Sequence, residues 1–134
     1  IEVDMTGTTE KIRMIGVDTP ETKKPNSPVQ CFGPEASEFT KKTLTGKSVR
    51  LEADPTNDNR DRYGRLLRYV YLQDGSLYEE MLIAQGYSFA YTTFAFQKAE
   101  AFTKLQNQAQ TAKVGLWTAC TNIFKNDRWQ TNDL

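Results

Sequence analysis

The chain has 134 residues, 38% of them hydrophobic and 25% charged, a composition typical of one globular domain and not of a disordered or fibrous chain. Its 17 basic residues balance its 17 acidic residues, so affinity for a polyanion must come from local clusters of charge. The absence of histidine excludes imidazole as a catalytic base, the Ser-His-Asp and Cys-His designs, and histidine-bearing zinc sites.

The first part of the chain alternates between strand-like and loop-like segments. Apolar residues alternate over 1–5 and 10–17 and predict a β-hairpin with a short glycine-containing turn. Three prolines and many polar residues predict a loop over 17–28. Pro34 suits a first helical position and Gly46 suits the position after a helix, so a helix of about three turns is predicted between them.

The second part continues with short strands and helices. Strand-like patterns predict β-strands over 47–53, 66–73 and 87–91. Apolar residues at helical spacing predict helices over 77–86 and 99–112. The order of these elements predicts an α+β fold that is mainly a β-barrel: a five-stranded OB-fold Greek-key barrel with three α-helices.

The two ends of the chain lead to further expectations. We predict one domain over 1–120 and a C-terminal tail over 121–134, because the last residues show no periodicity. The chain opens in a strand-like pattern without a signal sequence, so we expect a segment upstream of it. No apolar run approaches the roughly 18 residues that a membrane span needs.

The chain contains two cysteines, Cys31 and Cys120, which lie far apart in the sequence. Two cysteines are too few for a four-ligand zinc pattern. Two reduced thiols are the usual state in an intracellular protein, whereas one disulfide that closes a long loop is typical of a secreted protein. The residues alone leave both possibilities open.

A dense group of charged and polar residues follows the first hairpin. Asp18 and Thr19 offer hard oxygen ligands suited to Ca²⁺ or Mg²⁺, and Glu21 is a second carboxylate that could take a proton from water. Arg13 could grip a phosphate with its planar guanidinium. The simpler interpretation is an exposed ion pair between Arg13 and Asp18 with a solvated Glu21, and residue types alone favour it.

The spacing of Arg13 and Asp18 sets a geometric condition on a shared site. Their separation is an odd number of residues, so an ideal strand would direct the two side chains to opposite faces. They can share a site only if the strand bulges or ends between them. Gly16 is the best candidate for a bulge, and Val17 marks the latest point at which the strand could end.

A second charged cluster lies in the stretch DRYGR, residues 61–65. It places Arg65 at the edge between a loop and a strand, where Gly64 permits close approach to the backbone. The same letters also fit an ordinary hairpin turn. The neighbouring Asp- and Asn-rich residues lack the glycine and glutamate that a calcium-binding EF-hand loop requires.

Several motifs occur together in a specific order from residue 1 to about Trp117: IRMIGVDTPET, GPEASEFTKK, DRYGRLLRYVYLQDG, AQG and GLW. In this combination the chain resembles the staphylococcal nuclease family. The resemblance implies an OB-fold barrel with three helices and Ca²⁺-dependent hydrolysis of phosphodiester bonds in DNA and RNA.

The resemblance also implies roles for individual residues. Arg13 and Arg65 would hold the scissile phosphate, and Glu21 would orient or deprotonate the attacking water. Asp18 would ligate Ca²⁺ through its carboxylate and Thr19 through its backbone carbonyl. Four further residues would bind substrate: Arg62, Tyr63, Tyr91 and Phe94.

The sequence departs from the family pattern at identifiable places. The family has a metal-binding Asp that would fall two positions before Ile1. Either it lies in the upstream segment, which we favour, or a neighbouring oxygen replaces it; a site without it should bind Ca²⁺ more weakly. Around Tyr91 and Phe94 the match is looser, so these rings either stack on bases or lie in the core. In the family fold the regions of Cys31 and Cys120 come close, so the resemblance favours a disulfide between them.

We therefore expect a monomeric Ca²⁺-dependent nuclease acting on DNA and RNA. The disulfide that the resemblance implies would favour a secreted or cell-surface protein, and we expect its signal or anchor to precede this chain. The alternative is an OB-fold domain that binds nucleic acid without cutting it.

Overall fold

A computed structural model describes all 134 residues of the chain. Four strands form one curled mixed sheet in the order β1-β2-β5-β4, and the other strands form the pairs β3-β6 and β7-β8. No helix is long and apolar enough to cross a membrane. The elements in chain order are β1 (Glu2–Met5), β2 (Thr8–Met14), β3 (Val17–Asp18), α1 (Gly33–Leu44), β4 (Arg50–Glu52), β5 (Leu66–Tyr71), α2 (Tyr78–Ala84), β6 (Phe89–Ala90), α3 (Ala99–Ala112), α4 (Leu116–Ala119), β7 (Asn122–Lys125) and β8 (Arg128–Thr131).

The predicted class, an α+β fold with a curled sheet of the OB type, is confirmed. The predicted opening hairpin is present as β1 and β2, which pair antiparallel. Its two turn residues, Thr6 and Gly7, have φ angles of 53° and 84°, the backbone of a tight hairpin turn that follows the twist of the strands. One hydrophobic cluster between the sheet and helices α2 and α3 forms the core.

The strand predicted over 10–17 is divided in the structure. β2 ends at Met14, and β3 begins at Val17 and pairs with β6 instead of β5. Gly16 lies at the break with φ of 78°, a backbone conformation that side chains disfavour. A Cβ atom there would lie 2.5 Å from the Phe96 ring and 2.8 Å from the Phe102 ring. The turn therefore requires glycine for its backbone angle and for its packing.

The structure has more elements than predicted: eight strands instead of five and four helices instead of three. The division at Gly16 adds one strand, and the short helix α4 adds one helix. Residues 121–134, for which we predicted no regular element, contain the hairpin of β7 and β8. Asn126 and Asp127 form its turn with φ angles of 55° and 61°. Asn and Asp tolerate this left-handed conformation, which is why a hairpin forms without glycine.

The C-terminal hairpin, residues 122–131, is anchored to the body of the protein. A disulfide joins Cys31 to Cys120, the residue just before the hairpin, with Cα atoms 5.9 Å apart. The Thr131 hydroxyl donates a hydrogen bond to the carbonyl of Cys31 at 2.8 Å. The Trp129 ring stacks on Phe89 of β6 with ring centroids 6.0 Å apart. These contacts hold the hairpin against the β3–β6 pair.

One acidic side chain, Glu79 of α2, is fully buried in the core. Its Oε1 atom accepts a hydrogen bond from the backbone N–H of Val70 at 2.9 Å. Burial raises the pKa of Glu79 to about 8, and the Val70 hydrogen bond only partly opposes that rise. Glu79 therefore keeps its proton in the folded protein at neutral pH.

We predict that Glu79 makes the protein less stable as the pH rises from about 4.5 to about 8. Over this range the unfolded chain loses the Glu79 proton while the folded chain retains it, so ionisation favours the unfolded state. The free energy of unfolding should fall by up to about 1.4 kcal/mol per pH unit from this group. Urea denaturation across this pH range measures the slope.

Glu79→Gln should flatten this pH dependence and raise stability near pH 8. The matched control is Glu80→Gln, which changes the neighbouring, less buried residue of the same helix. Equal slopes for wild type and Glu79→Gln would show that Glu79 ionises normally in the fold.

Candidate active site

Arg13 and Arg65 project from the same face of the curled sheet. Strands β2 and β5 run parallel, and Arg13 is paired with Leu67. Arg65 precedes Leu67 by two residues, so its side chain lies on the same face as that of Leu67. The parallel pairing thus brings together two arginines that are far apart in the sequence.

Arg13 also holds the backbone at the division between β2 and β3. Its Nη1 donates to the carbonyl of Met14 and its Nη2 to the carbonyl of Val17, both at 2.9 Å. Burial lowers the pKa of Arg13, and the negative charge of Asp18 opposes that change. Each Nη has a second N–H, and the Nε is also free of these bonds, so donors remain for a ligand.

Asp18 lies at the end of β3 as a largely buried carboxylate. Its side chain is 16% exposed, and its backbone N–H donates to the Ser88 hydroxyl at 3.0 Å. Burial raises the pKa of Asp18, while the charges of Arg128 and Arg13 lower it. The Nη2 atom of Arg128 lies 2.7 Å from Asp18 Oδ2. This contact is a close ion pair with poor hydrogen-bond alignment, and no other group donates to this oxygen.

Thr19 and Glu21 lie in the loop that follows Asp18. The Glu21 backbone N–H donates to Gln30 Oε1 at 2.9 Å, which fixes the loop across its base. The Glu21 carboxylate turns towards its own loop, where Oε1 accepts from the N–H groups of Lys23 at 3.1 Å and Lys24 at 2.7 Å. The negative charge of Glu21 acts to raise the pKa of Asp18. The second oxygen, Oε2, accepts none of these bonds and is free to hold water.

Arg65 is positioned by Asp61 within the turn before β5. Asp61 Oδ1 accepts from the backbone N–H groups of Tyr63 and Arg65, each at 2.9 Å. Asp61 Oδ2 accepts from Arg65 Nε at 2.7 Å. Burial acts to raise the pKa of Asp61, but the Arg65 and Tyr63 hydrogen bonds outweigh it and lower the pKa. Both terminal nitrogens of Arg65 remain free of protein partners.

Arg62 and Tyr63 lie at the outer edge of this turn. Tyr63 is 69% exposed and its hydroxyl accepts a hydrogen bond from Arg62 Nη2 at 2.7 Å. The guanidinium carbons of Arg62 and Arg65 lie 4.9 Å and 5.6 Å from the centre of the Tyr63 ring. An exposed aromatic ring beside two cations suits the base and phosphate of a nucleotide.

Tyr91 and Phe94 border the site beyond β6. The Tyr91 N–H donates to the carbonyl of Gly16 at 2.8 Å, which places Tyr91 beside the division in the strand. The Phe94 ring packs edge-on against Tyr91 with centroids 5.9 Å apart. Phe94 is 67% exposed, so the structure places it outside the core. Phe94 is therefore accessible for stacking on a base, and Tyr91 is half-buried beside it.

The potential metal ligands at Asp18 and Thr19 are hard oxygen atoms, the ligand type that Ca²⁺ requires. Asp18 Oδ2 is a largely buried acceptor without a well-aligned hydrogen bond, and it already contacts one cation, the Arg128 guanidinium, at 2.7 Å. The chain contains no group of three or more acidic residues or cysteines arranged to hold a metal ion. Ca²⁺ takes about six to eight oxygens, so Asp18 and the carbonyl of Thr19 would supply only part of its coordination.

Two residues of the site were missed by reasoning from the sequence. Asp61 stands four positions before Arg65 in DRYGR, a spacing and charge pattern that could have indicated an ion pair. Arg128 belongs to the C-terminal hairpin, whose sequence lacks periodicity. No local signal connects it to Asp18, because the contact depends on how the hairpin folds back.

Comparison with known proteins gives a consistent set of relatives. The family model of the staphylococcal nuclease homologues matches residues 11–119. The thermonuclease of Staphylococcus hyicus is 46% identical over 121 residues, which cover 88% of this chain and 69% of the relative. The thermonuclease of Staphylococcus intermedius is 42% identical over 87% of this chain and 68% of its own length. The SPbeta prophage-derived endonuclease YokF of Bacillus subtilis is 39% identical over 96% of this chain and 43% of its own length.

We predict that Asp61→Ala lowers the free energy of unfolding by about 1–3 kcal/mol, because it leaves the turn N–H groups and the Arg65 guanidinium without their acceptor. Urea denaturation measures the change. Asp58→Ala is the matched control, since Asp58 is an exposed acidic residue of the same loop region. A loss no larger than that of the control would mean that Asp61 does not hold the turn.

Proposed function

We infer that this chain, which belongs to the staphylococcal nuclease family, is a nuclease that hydrolyses phosphodiester bonds of DNA and RNA and depends on Ca²⁺. Named thermonucleases and endonucleases among its relatives support the nuclease activity. The observation that carries the proposal is that the β2–β5 pairing brings Arg13 and Arg65 to one face of the sheet, with Arg13 beside the largely buried carboxylate of Asp18. The proposed catalytic domain is 1–120, with 121–134 as its C-terminal extension.

Hydrolysis of a phosphodiester bond needs a water molecule that attacks phosphorus in line with the leaving oxygen. Negative charge grows on the non-bridging oxygens during this step. The free donors of Arg13 and Arg65 can bind these oxygens, and a planar guanidinium offers two parallel hydrogen bonds to one phosphate. The hydrogen bonds to Met14, Val17 and Asp61 hold both guanidiniums in place before substrate arrives, so little reorganisation is needed.

Glu21 is the proposed water-handling residue. Its Oε1 atom is held by the loop N–H groups of Lys23 and Lys24, while Oε2 has no protein partner. The carboxylate can therefore accept a hydrogen bond from water without leaving its loop. We assign it to orienting the water and accepting its proton.

Asp18 and the Thr19 carbonyl are the proposed metal ligands. When bound there, Ca²⁺ would neutralise charge on the phosphate. The Ile1 backbone nitrogen lies near Arg65 and Arg13. A residue two positions before Ile1 would lie within about 7 Å of this point. An aspartate there could complete the ligand set.

Substrate binding is assigned to the rim of the site. Tyr63 and Phe94 are exposed rings on opposite borders and can stack on bases. Arg62 and the half-buried Tyr91 support these rings through the contacts described above. Base stacking does not depend on base identity, which suits a nuclease for both DNA and RNA. We propose that the protein works as a monomer.

A second candidate function is nucleic-acid binding without cleavage. The ion pair between Asp18 and Arg128 favours it, because the proposed metal ligand is already engaged by a side chain. Incubating linear DNA with the protein, once in Ca²⁺ and once in chelator, distinguishes the nuclease from the binding domain. Cleavage that requires Ca²⁺ supports the nuclease, and binding without cleavage supports the alternative. The same assay should be run on a chain extended upstream of Ile1.

We predict that Arg65→Ala lowers kcat on linear DNA by about 10²-fold, because a preorganised donor to the transition state is lost. Arg65→Lys should recover little of the lost kcat, since an ammonium group cannot make the two parallel hydrogen bonds to a phosphate. Arg50→Ala is the control: Arg50 forms an exposed ion pair with Glu52 on β4 and should leave kcat unchanged. Undiminished cleavage by Arg65→Ala would overturn the role assigned to Arg65.

We propose that the protein is secreted or attached to the cell surface, and the Cys31–Cys120 disulfide supports this location. The protein should be purified from its natural source, unfolded and treated with an alkylating reagent without reductant. No mass should be added, because both cysteines are joined in the disulfide. Alkylation after reduction should add two labels. Labelling of both cysteines without reductant would remove the support for an oxidising compartment.

A further inference from the structure

We propose that Arg128 is a positioning residue of the active site and that its guanidinium competes with the metal ion for the Asp18 carboxylate. The proposal rests on the proposed function, because it takes Asp18 as a metal ligand. Without the ion, Arg128 would hold the carboxylate and balance its charge. Binding of the ion would require the guanidinium to move away.

The contact between Arg128 and Asp18 differs from the other ion pairs of the chain. The pairs Arg50–Glu52, Arg60–Glu10 and Arg65–Asp61 each contain a hydrogen bond between the charged groups. The Arg128–Asp18 pair has an N–O distance of 2.7 Å, but its alignment is poorer, so Asp18 Oδ2 lacks a hydrogen bond of standard geometry. Arg128 Nε is also buried without a partner. The two charges are close, but neither group is fully satisfied by the other.

Such a contact can be replaced by a better-matched cation. Once Arg128 has moved away, Asp18 Oδ2 has no other hydrogen-bond partner and can coordinate an ion. A hard divalent cation carries twice the charge of a guanidinium and coordinates oxygen without needing an aligned N–H. The two cations cannot share one oxygen without repulsion. Occupation by one therefore weakens binding of the other.

The C-terminal hairpin keeps Arg128 at this place. The Thr93 hydroxyl donates to the carbonyl of Asp127, next to Arg128, at 2.7 Å. Trp129, on the other side, stacks on Phe89, and Phe89 is the residue paired with Asp18 in the β3–β6 ladder. Because the backbone on both sides is fixed, the guanidinium has a high local concentration at the carboxylate. Side-chain rotation alone would let it leave, since the Arg128 side chain is 42% exposed.

The first test measures Ca²⁺ affinity by titration calorimetry. Arg128→Ala should bind Ca²⁺ about five- to tenfold more tightly than wild type, because the competing cation is gone. Arg128→Lys retains a competing cation and should bind with nearly wild-type affinity. Lys125→Ala is the matched control, since Lys125 is exposed, carries the same charge and is paired with Arg128 across the hairpin. It should change affinity only slightly.

The second test uses thermal unfolding and separates competition from a purely structural role. In chelator, Arg128→Ala should have a lower Tm than wild type, because Asp18 loses its partner. In saturating Ca²⁺ the difference should shrink or vanish, because the ion replaces the guanidinium. An equal loss of Tm in both conditions would show that Arg128 only stabilises the fold and would overturn the proposal.

Asp18→Asn distinguishes failure of this inference from failure of the proposed function. If Asp18→Asn binds Ca²⁺ as tightly as wild type, Asp18 is not a metal ligand. The metal site of the proposed function and the competition by Arg128 are then both wrong. If Asp18→Asn loses binding while Arg128→Ala binds no more tightly than Lys125→Ala, only the role of Arg128 is wrong. Weaker binding by Arg128→Ala would likewise overturn the competition.

Discussion

The backbone at Gly16 is the constraint on which the site depends. Its left-handed conformation ends the pairing of β2 with β5 and redirects the chain to β6. Without this turn, Arg13 and Asp18 would lie on opposite faces of one strand. The rings of Phe96 and Phe102 fill the space where a Cβ would stand, so the turn is locked by core packing. The position of the candidate active site is thus decided in the hydrophobic core.

The charges of the site are arranged around the carboxylate of Asp18 in this turn. Arg13 approaches it from β2, and Arg128 approaches it from the C-terminal hairpin. Arg65 joins Arg13 through the parallel strand pairing and is held by its own acidic partner, Asp61. A buried carboxylate would be costly without such neighbours. Arg13 thus has two parts: it stabilises the Asp18 carboxylate, and it is one of the two proposed phosphate-binding guanidiniums.

The sequence was sufficient where a local pattern determines structure. Alternation predicted the opening hairpin, Gly16 was recognised as the candidate break, and the ordered motifs predicted the fold class. It was insufficient where an element depends on distant contacts. The C-terminal hairpin is stabilised by Cys31 and Phe89, which lie far away in the sequence, and its own residues show no periodicity. The contact of Arg128 with Asp18 is therefore a property of the tertiary fold.

Arg13 and Glu21 of the site also have structural roles. Arg13 ties the ends of β2 and β3 together through two carbonyls, and Glu21 closes its own loop. Removing either side chain changes local structure as well as charge, so a loss of activity alone cannot assign a chemical role. Arg65 is the more informative position, because its backbone is held by the Asp61 carboxylate and both its terminal nitrogens are free. A substitution at Arg65 removes the proposed phosphate donors, while Asp61 still accepts from the turn N–H groups.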